Sequence, residues 1–331
     1  MASLLAVDLG GTKSRVGLYD LDSGADSTIV QSVFANKNYS GIHEVITAFL
    51  EEFDVTPDYG CLAVAGVIDG DSAVMTNLPW QVNTQALQKR FSLRKVFLLN
   101  DLTALAASIP YLTPEETFEI KGGIRKEGET IAVIAPGTGL GQGYLVPNGE
   151  GYIIKGSEGG HSGFSPANEE QVKLLSWMMK SSESVSAEQV CAGPAITTLY
   201  HYFVQQNNII PADWLPEKIR MADDITPVVV SAGTGENGCP VCRKVVETYL
   251  AILGRETANL ALKLYSRGGV YIGGGVILHL FDKIPFTSFV DGFLHTDKMR
   301  QLMNTIPVFG IKKEDALLYG AYQHGMRQLQ R

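Results

Sequence analysis

Three features of the sequence predict an α/β fold built from two related halves. Short apolar runs rich in aliphatic and β-branched residues give way to stretches of helical periodicity. The order strand, glycine turn, strand occurs twice, near residue 10 and again near residue 138, which is the trace an internal duplication leaves. The chain has 331 residues, enough for two domains of roughly 150 residues, each burying its own core.

The elements follow in order. LLAVDL, SRVGLYD and STIVQSVF read as a strand meander, broken by Gly10-Gly11 and by Asp22-Ser23-Gly24. Ile42, Val45, Ile46, Phe49, Leu50 and Phe53 fall on one helical face, with Ser40 placed to cap it. CLAVAGV and SAVM are strands, and KVFLLN is another, so that Asn100 and Asp101 stand where it enters the helix LTALAASI. The second series is IAVIAP, the glycine turn GTGLGQG, YLVP and GYIIK. Helices follow at NEEQVKLLSWMMK, AEQVCAG and from about Pro240 to Tyr265, with Trp177, Met178 and Met179 read as core packing. Residues 268–277, GGVYIGGGVI, read as a buried strand ending in three glycines, and Glu314 to Leu329 as a terminal helix.

Composition narrows the function. Hydrophobic residues are 45% and charged residues 19%, as in folded enzymes. The 27 Lys and Arg against 35 Asp and Glu leave a net charge of −8 with no basic stripe, which argues against nucleic acid. The run at the start is broken by Asp8 before a signal or membrane segment is complete, so a cytoplasmic location and no membrane partner are expected. Cys61, Cys191, Cys239 and Cys242 are too few and too unevenly spaced for a disulfide framework, so reduced thiols are expected. Cys239-Pro240-Val241-Cys242 lacks the second pair of a zinc ribbon and reads as a helix start.

Four motifs carry chemistry. In Asp8-Leu9-Gly10-Gly11-Thr12-Lys13, backbone N–H groups can close around an anion, Thr12 adds a hydroxyl, and Asp8 can hold a metal ion through water. An ordinary hairpin turn is the alternative. Gly137-Thr138-Gly139-Leu140-Gly141 repeats the pattern, and the pair suggests two hairpins gripping one polyphosphate. The glycines do not spell GxGxxG, and no Gly-Lys dipeptide exists for a Walker A loop. Asp101 can accept a hydroxyl proton while Asn100 holds a neighbouring hydroxyl, unless Asp101 merely caps its helix. Glu158-Gly159-Gly160-His161, with Glu188, can satisfy vicinal hydroxyls of a sugar; one histidine beside one glutamate lacks the second His of a zinc site.

Together these motifs resemble the bacterial-type glucokinase family, within the hexokinase, actin and Hsp70 ATPase superfamily, over nearly the entire chain. The order is DLGGTK, MTNLPW, LLNDLTA, APGTGLG, EGGH, SAEQV, GGGV and LYGAY. The resemblance implies a two-domain, duplicated ribonuclease H-like fold with a cleft between domains. A small domain would span 1–110, completed by 311–331, and a large one 111–310. It implies Asp101 as catalytic base and Asn100, Gly139, Glu158, His161 and Glu188 as glucose ligands. Asp8, Gly10, Gly11 and Thr12 would form the first phosphate loop, Gly137 and Thr138 the second, and Gly273, Gly274 and Gly275 the adenosine-side turn. The related repressor-kinase branch carries a cysteine-rich zinc motif, and no cysteine lies between Glu158 and Cys191.

The expected reaction is ATP plus D-glucose to glucose 6-phosphate and ADP, with Mg²⁺ carried on the nucleotide and met through water by Asp8 or Asp101. Closure of the domains around the sugar and a homodimeric state are expected as well. The alternatives are another hexose or amino sugar as acceptor, or an actin- or Hsp70-like ATPase, which would have no use for Asn100, Glu158, His161 and Glu188 together.

Overall fold

The computed structural model describes residues 2–23, 27–76, 78–206, 211–235 and 238–330. Gly24 of the expected Asp22-Ser23-Gly24 turn and Asn77 of MTNLPW lie outside these residues. The chain divides into two compact units, one formed by Met1–Thr113 with Lys313–Arg331 and the other by Pro114–Lys312.

The first unit holds a five-stranded sheet made of β1 (Ser3–Leu9), β2 (Lys13–Asp20), β3 (Thr28–Ala35), β4 (Tyr59–Val64) and β8 (Lys95–Asn100). Its order is β3-β2-β1-β4-β8; β2 and β3 are antiparallel to their neighbours, while β1, β4 and β8 run parallel. Both faces of β1 are covered, which is why its sequence is almost continuously apolar rather than alternating. Leu5, Val7 and Leu9 pack in one cluster with α1 (Ile42–Phe53). Leu4 and Ala6 pack in another with α3 (Asp101–Ser108) and α13 (Ala316–Leu329). Strand parity therefore assigns Asp8 to the α3 side of the sheet. A small sheet of β5 (Gly66–Asp69), β6 (Ser72–Met75) and β7 (Gln81–Asn83), followed by α2 (Thr84–Phe91), completes the unit.

The second unit repeats the arrangement. Strands β10 (Ile131–Pro136), β11 (Leu140–Pro147), β12 (Tyr152–Ser157), β13 (Val270–Ile272) and β14 (Val308–Ile311) lie in the order β12-β11-β10-β13-β14, with β9 (Thr117–Lys121) added at the edge. Again the first three strands are antiparallel to one another and the next two parallel. The expected duplication is thus present in the topology. Its core forms around α9 (Pro240–Leu264), flanked by α4 (Glu169–Met178), α5 (Glu188–Cys191), α6 (Ala195–Gln206), α8 (Thr226–Thr234) and α11 (Thr287–Leu294). The remaining helices are α7 (Leu215–Met221), α10 (Gly275–Leu280) and α12 (Arg300–Thr305).

Several expectations need correction. Gly41, not Ser40, is the N-cap of α1; Ser40 instead gives its amide and hydroxyl to Glu44, at 2.7 Å each. CLAVAGV is two strands, because the chain leaves the main sheet at Ala65. YLVP is the second half of β11, which starts inside the glycine run at Leu140. AEQVCAG contracts to a single turn, α5. The run 268–277 is a strand only over Val270–Ile272, and Gly275 already starts α10. Met178 is buried, while Met179 is exposed. Cys239 is the N-cap of α9 and Pro240 its first residue, as a helix start requires. All four cysteines are buried and free.

Helix α3 carries Asp101, and its position depends on α13. At Gly320 the helices approach so closely that a Cβ would run into the carbonyl oxygen of Ala104. Gly320→Val should therefore destabilise the first unit by about 1–3 kcal/mol, the usual scale of overpacking. Urea denaturation checks this, and an unchanged midpoint would show that α13 can withdraw from α3 without loss.

Candidate functional site

In the first unit the candidate residues gather at the carboxyl ends of the parallel strands, a favoured position for ligands in α/β sheets. Leu9 pairs with Val64, and Val64 with Asn100, so the three strands end in register. Between β1 and β2 the chain turns through Gly10, Gly11 and Thr12, closed by the Gly10 amide donating to the Lys13 carbonyl at 3.2 Å. Asn36, buried beneath this turn, fixes its shape. Its Nδ2 donates to the Gly10 carbonyl (2.8 Å), its backbone amide donates to the Thr12 carbonyl (2.9 Å), and its Oδ1 accepts from the Ser14 hydroxyl (2.7 Å). With those carbonyls engaged, the amides of Gly11 and Thr12 donate to none of the described residues. Such amides are free to meet an anion.

Asp8 lies opposite Arg15 in the β1–β2 ladder. Burial lifts its pKa to about 6; Arg15 opposes that rise and the nearby Asp101 adds to it. Asp101 opens α3, and Asn100 is the N-cap, its Oδ1 accepting from the Leu102 amide at 2.9 Å. Asp101 Oδ1 accepts from the same amide at 2.8 Å. The helix terminus and these hydrogen bonds favour the charged carboxylate, yet burial outweighs them and holds Asp101 above the ordinary carboxylate range.

The second unit places its candidates at the matching end of its sheet. Gly137, Thr138 and Gly139 follow β10, tied by the Gly137 amide to the Gly139 carbonyl (2.8 Å) and by the Gly193 amide to the Gly137 carbonyl (2.8 Å). Thr138 is exposed. Glu188, from α5, accepts from the Leu140 amide through Oε2 at 2.9 Å. It passes so close to Gly139 that a Cβ there would sit 2.6 Å from this oxygen. Glu158 leads the 3-10 turn Gly159–His161. His161 stands between two carboxylates, its Nε2 3.8 Å from Glu158 Oε2 and its Nδ1 4.0 Å from Glu188 Oε1. The Glu158 side chain is 92% exposed and that of Glu188 32%, so one carboxylate is anchored and the other open to a ligand.

Gly273, Gly274 and Gly275 follow β13, the strand beside β10, and the Gly273 amide donates to the Ile134 carbonyl at 3.0 Å. Gly274 has φ +99°, and a side chain there would strike the Pro136 carbonyl, so only glycine fits. A cavity of about 360 Å³ opens at Thr138 and Glu188, with Gln189, Trp177 and Thr198 also in its wall. A larger one of about 430 Å³ lies at α7 and α8 and contains none of the candidates.

Sequence reasoning missed Arg15 and Asn36. The first was within reach, because a four-residue turn after Leu9 pairs Asp8 with Arg15. Asn36 carries no local signal, since only the folded meander brings it under the turn. Among the described residues no three His, Cys, Asp or Glu side chains are placed to hold a metal ion together. Asp8 and Asp101 offer two carboxylates, which suits a magnesium ion that keeps water and phosphate as its other ligands. Of the described helices, none is long and apolar enough to cross a membrane.

Because the folded protein binds a proton at Asp8 more tightly than the unfolded chain does, this group makes stability fall as pH rises from about 4 to about 6. Asp8→Asn removes that slope. Urea denaturation should give the variant and the wild type similar stability at pH 4 and the variant an advantage above pH 6, levelling off thereafter. A constant difference across this range would mean Asp8 titrates normally.

The glucokinase family profile matches residues 5–328. The chain is 32% identical to the glucokinase of Enterobacter sp. (strain 638) over 320 residues, covering 97% of this chain and 96% of the relative. It is 31% identical to that of Cronobacter sakazakii over the same shares. Its structure is similar to that of a glucokinase from an Antarctic psychrotroph, with a TM-score of 0.85 at 28% identity, covering 99% of each chain. The fold also resembles the Balamuthia mandrillaris glucokinase, solved in complex with glucose (TM-score 0.79, 20% identity, 98% and 94% covered). The chain carries the two-domain actin/hexokinase-type fold, and it belongs to the glucokinase family.

Proposed function

We propose that this protein phosphorylates D-glucose at the 6-hydroxyl with ATP, using Asp101 as general base. Family membership and the 32% identity to named glucokinases support the reaction class. The observation that carries the assignment of the base is the position of Asp101. It is a desolvated carboxylate at the end of a parallel strand, its basicity raised by burial, with one oxygen already pinned by the Leu102 amide.

Asn100, Gly139, Glu158, His161 and Glu188 bind the sugar in this reading. Carboxylates accept from hydroxyls, and His161 both donates and accepts. Asp101 takes the proton of the 6-hydroxyl; the sugar oxygen forms its bond to the γ-phosphorus as the bond from that phosphorus to the departing ADP oxygen breaks. The amides of Gly11 and Thr12 and the hydroxyls of Thr12 and Thr138 orient the polyphosphate, Gly10 and Gly137 shape the two turns through their own backbone bonds, and Gly273, Gly274 and Gly275 leave room for the nucleoside. Magnesium bound with the nucleotide would supply charge neutralisation, held through water by Asp8 or Asp101. The turn under Asn36 and the unengaged amides of Gly11 and Thr12 support the first loop. The grouping of Glu158, His161 and Glu188 supports the sugar side. A cytoplasmic location and a homodimer belong to the same reading, and sedimentation of the purified protein tests the second.

Asp101→Asn should keep glucose binding by calorimetry while lowering turnover by about 10²–10⁴; turnover near wild type would remove Asp101 from the mechanism. In the wild type, kcat/KM should fall on the acid side at a pH above the ordinary carboxylate range, since the raised pKa of Asp101 protonates it there. Glu158→Gln should mainly weaken sugar affinity, and unchanged binding would contradict its role. Initial rates with ATP and Mg²⁺ across glucose, mannose, fructose, glucosamine and an N-acetylhexosamine test donor and acceptor together; glucose-independent hydrolysis alone would overturn the assignment.

A further inference from the structure

Two polar side chains in the core of α9 have no part in the chemistry above. Tyr249 and Glu256 lie seven residues apart, two helical turns, and so share a face. Tyr249 is fully buried, and its hydroxyl donates to the Cys191 carbonyl at 2.8 Å. Cys191 ends α5, the single turn that begins with Glu188. Glu256 is 6% exposed. It accepts from Gln142 Nε2 at 2.8 Å through Oε1 and from Asn259 Nδ2 at 3.0 Å through Oε2. A buried carboxylate persists only where its oxygens are engaged in this way.

Gln142, 2% exposed, extends from β11. Nε2 is the donor end of the Gln142 amide and it faces the Glu256 carboxylate, so the amide is fixed with Nε2 toward α9 and Oε1 on the other side. That oxygen lies against Gly159, where even a Cβ would strike it. The 3-10 turn that presents Glu158 and His161 therefore rests on an amide whose orientation is set from α9. One helix face thus holds both segments of the sugar side, residues 158–161 through Gln142 and residues 188–191 through Cys191.

We propose that Glu256 is a positioning residue for sugar binding, acting through Gln142 on the Glu158–His161 turn. This rests on the reading of that turn as part of the sugar site. A positioning role predicts a change in affinity with little change in the chemical step, because the proposed base, Asp101, belongs to the other unit.

The test uses the full-length protein with D-glucose as probe. Glu256→Met removes both acceptors and leaves the Gln142 amide without the partner that sets its orientation. Calorimetric Kd and KM for glucose should rise about tenfold, with kcat at saturating sugar within about threefold. Hydrogen exchange of the segment 157–164 should quicken without ligand. The exchanged pair Gln142→Glu with Glu256→Gln restores a donor facing an acceptor and should return both readouts toward wild type. Loss of thermal stability with unaltered Kd and exchange would mean a purely structural role and overturn the proposal, as would an exchanged pair no better than the single variant. If Glu256→Met does not fold, Gln142→Met empties the bridge from its other end, with the same loss expected and unaltered affinity overturning the proposal. A wild type that binds no glucose would overturn the sugar-site reading instead, and the exchange of 157–164 would then decide the bridge on its own.

Discussion

Two like-charged carboxylates brought together at the end of a buried sheet are the constraint on which the first unit is organised. Desolvation disfavours ionising both Asp8 and Asp101, and the charge of Asp101 adds to the rise at Asp8. The fold tolerates the pair because it is over-determined. Three parallel strands end in register, Asn100 caps α3, Arg15 faces Asp8 across the hairpin, and α13 pins α3 at Gly320. Electrostatic tension of this kind is common at functional sites, where it gives a base its strength and a cation its place. The buried Asn36 serves the same end by keeping the neighbouring turn in one shape.

The second unit uses the same topology with different groups at its strand ends. Its corresponding turn has no carboxylate at the strand end; Pro136 stands there and packs against the three-glycine turn. Its acidic groups come instead from a turn after β12 and a single helical turn, both short elements with little stability of their own. Their rigidity is borrowed from the core, chiefly from α9. In the proposed reading the duplication supplies two phosphate-binding turns from one structural idea, while the groups assigned to the sugar are placed by these two short elements and by the long helix.

Much of this was legible in the sequence because strand parity and burial leave strong marks. β1 reads as a strand buried on both faces, and a single residue of slip would have moved Leu5, Val7 and Leu9 into the cluster of Leu4 and Ala6. Asn100 and Asp101 were visible because a β-rich run ends where a helix begins. Less visible were the elements defined by tertiary packing. β14 is four residues following Pro307, and α11 contains Gly292 in a short run whose Phe289 and Phe293 become helical by burial against α9. The three glycines after β13 looked like the end of a longer strand, because sequence alone does not show the positive φ at Gly274. Asn36, Gln142 and Glu256 were invisible for a common reason: their partners lie 26 or 114 residues away.

Asp8 and Asp101 share one low-dielectric end of the sheet closely enough for Asp101 to raise the pKa of Asp8. A carbon-13 NMR titration of the Asp8 carboxyl, in the wild type and in Asp101→Asn, measures this directly. The structure predicts a midpoint of about 6 in the wild type and a lower one when the second charge is removed. A wild-type midpoint near that of a free aspartate, unmoved by the substitution, would contradict the arrangement from which the reaction is argued.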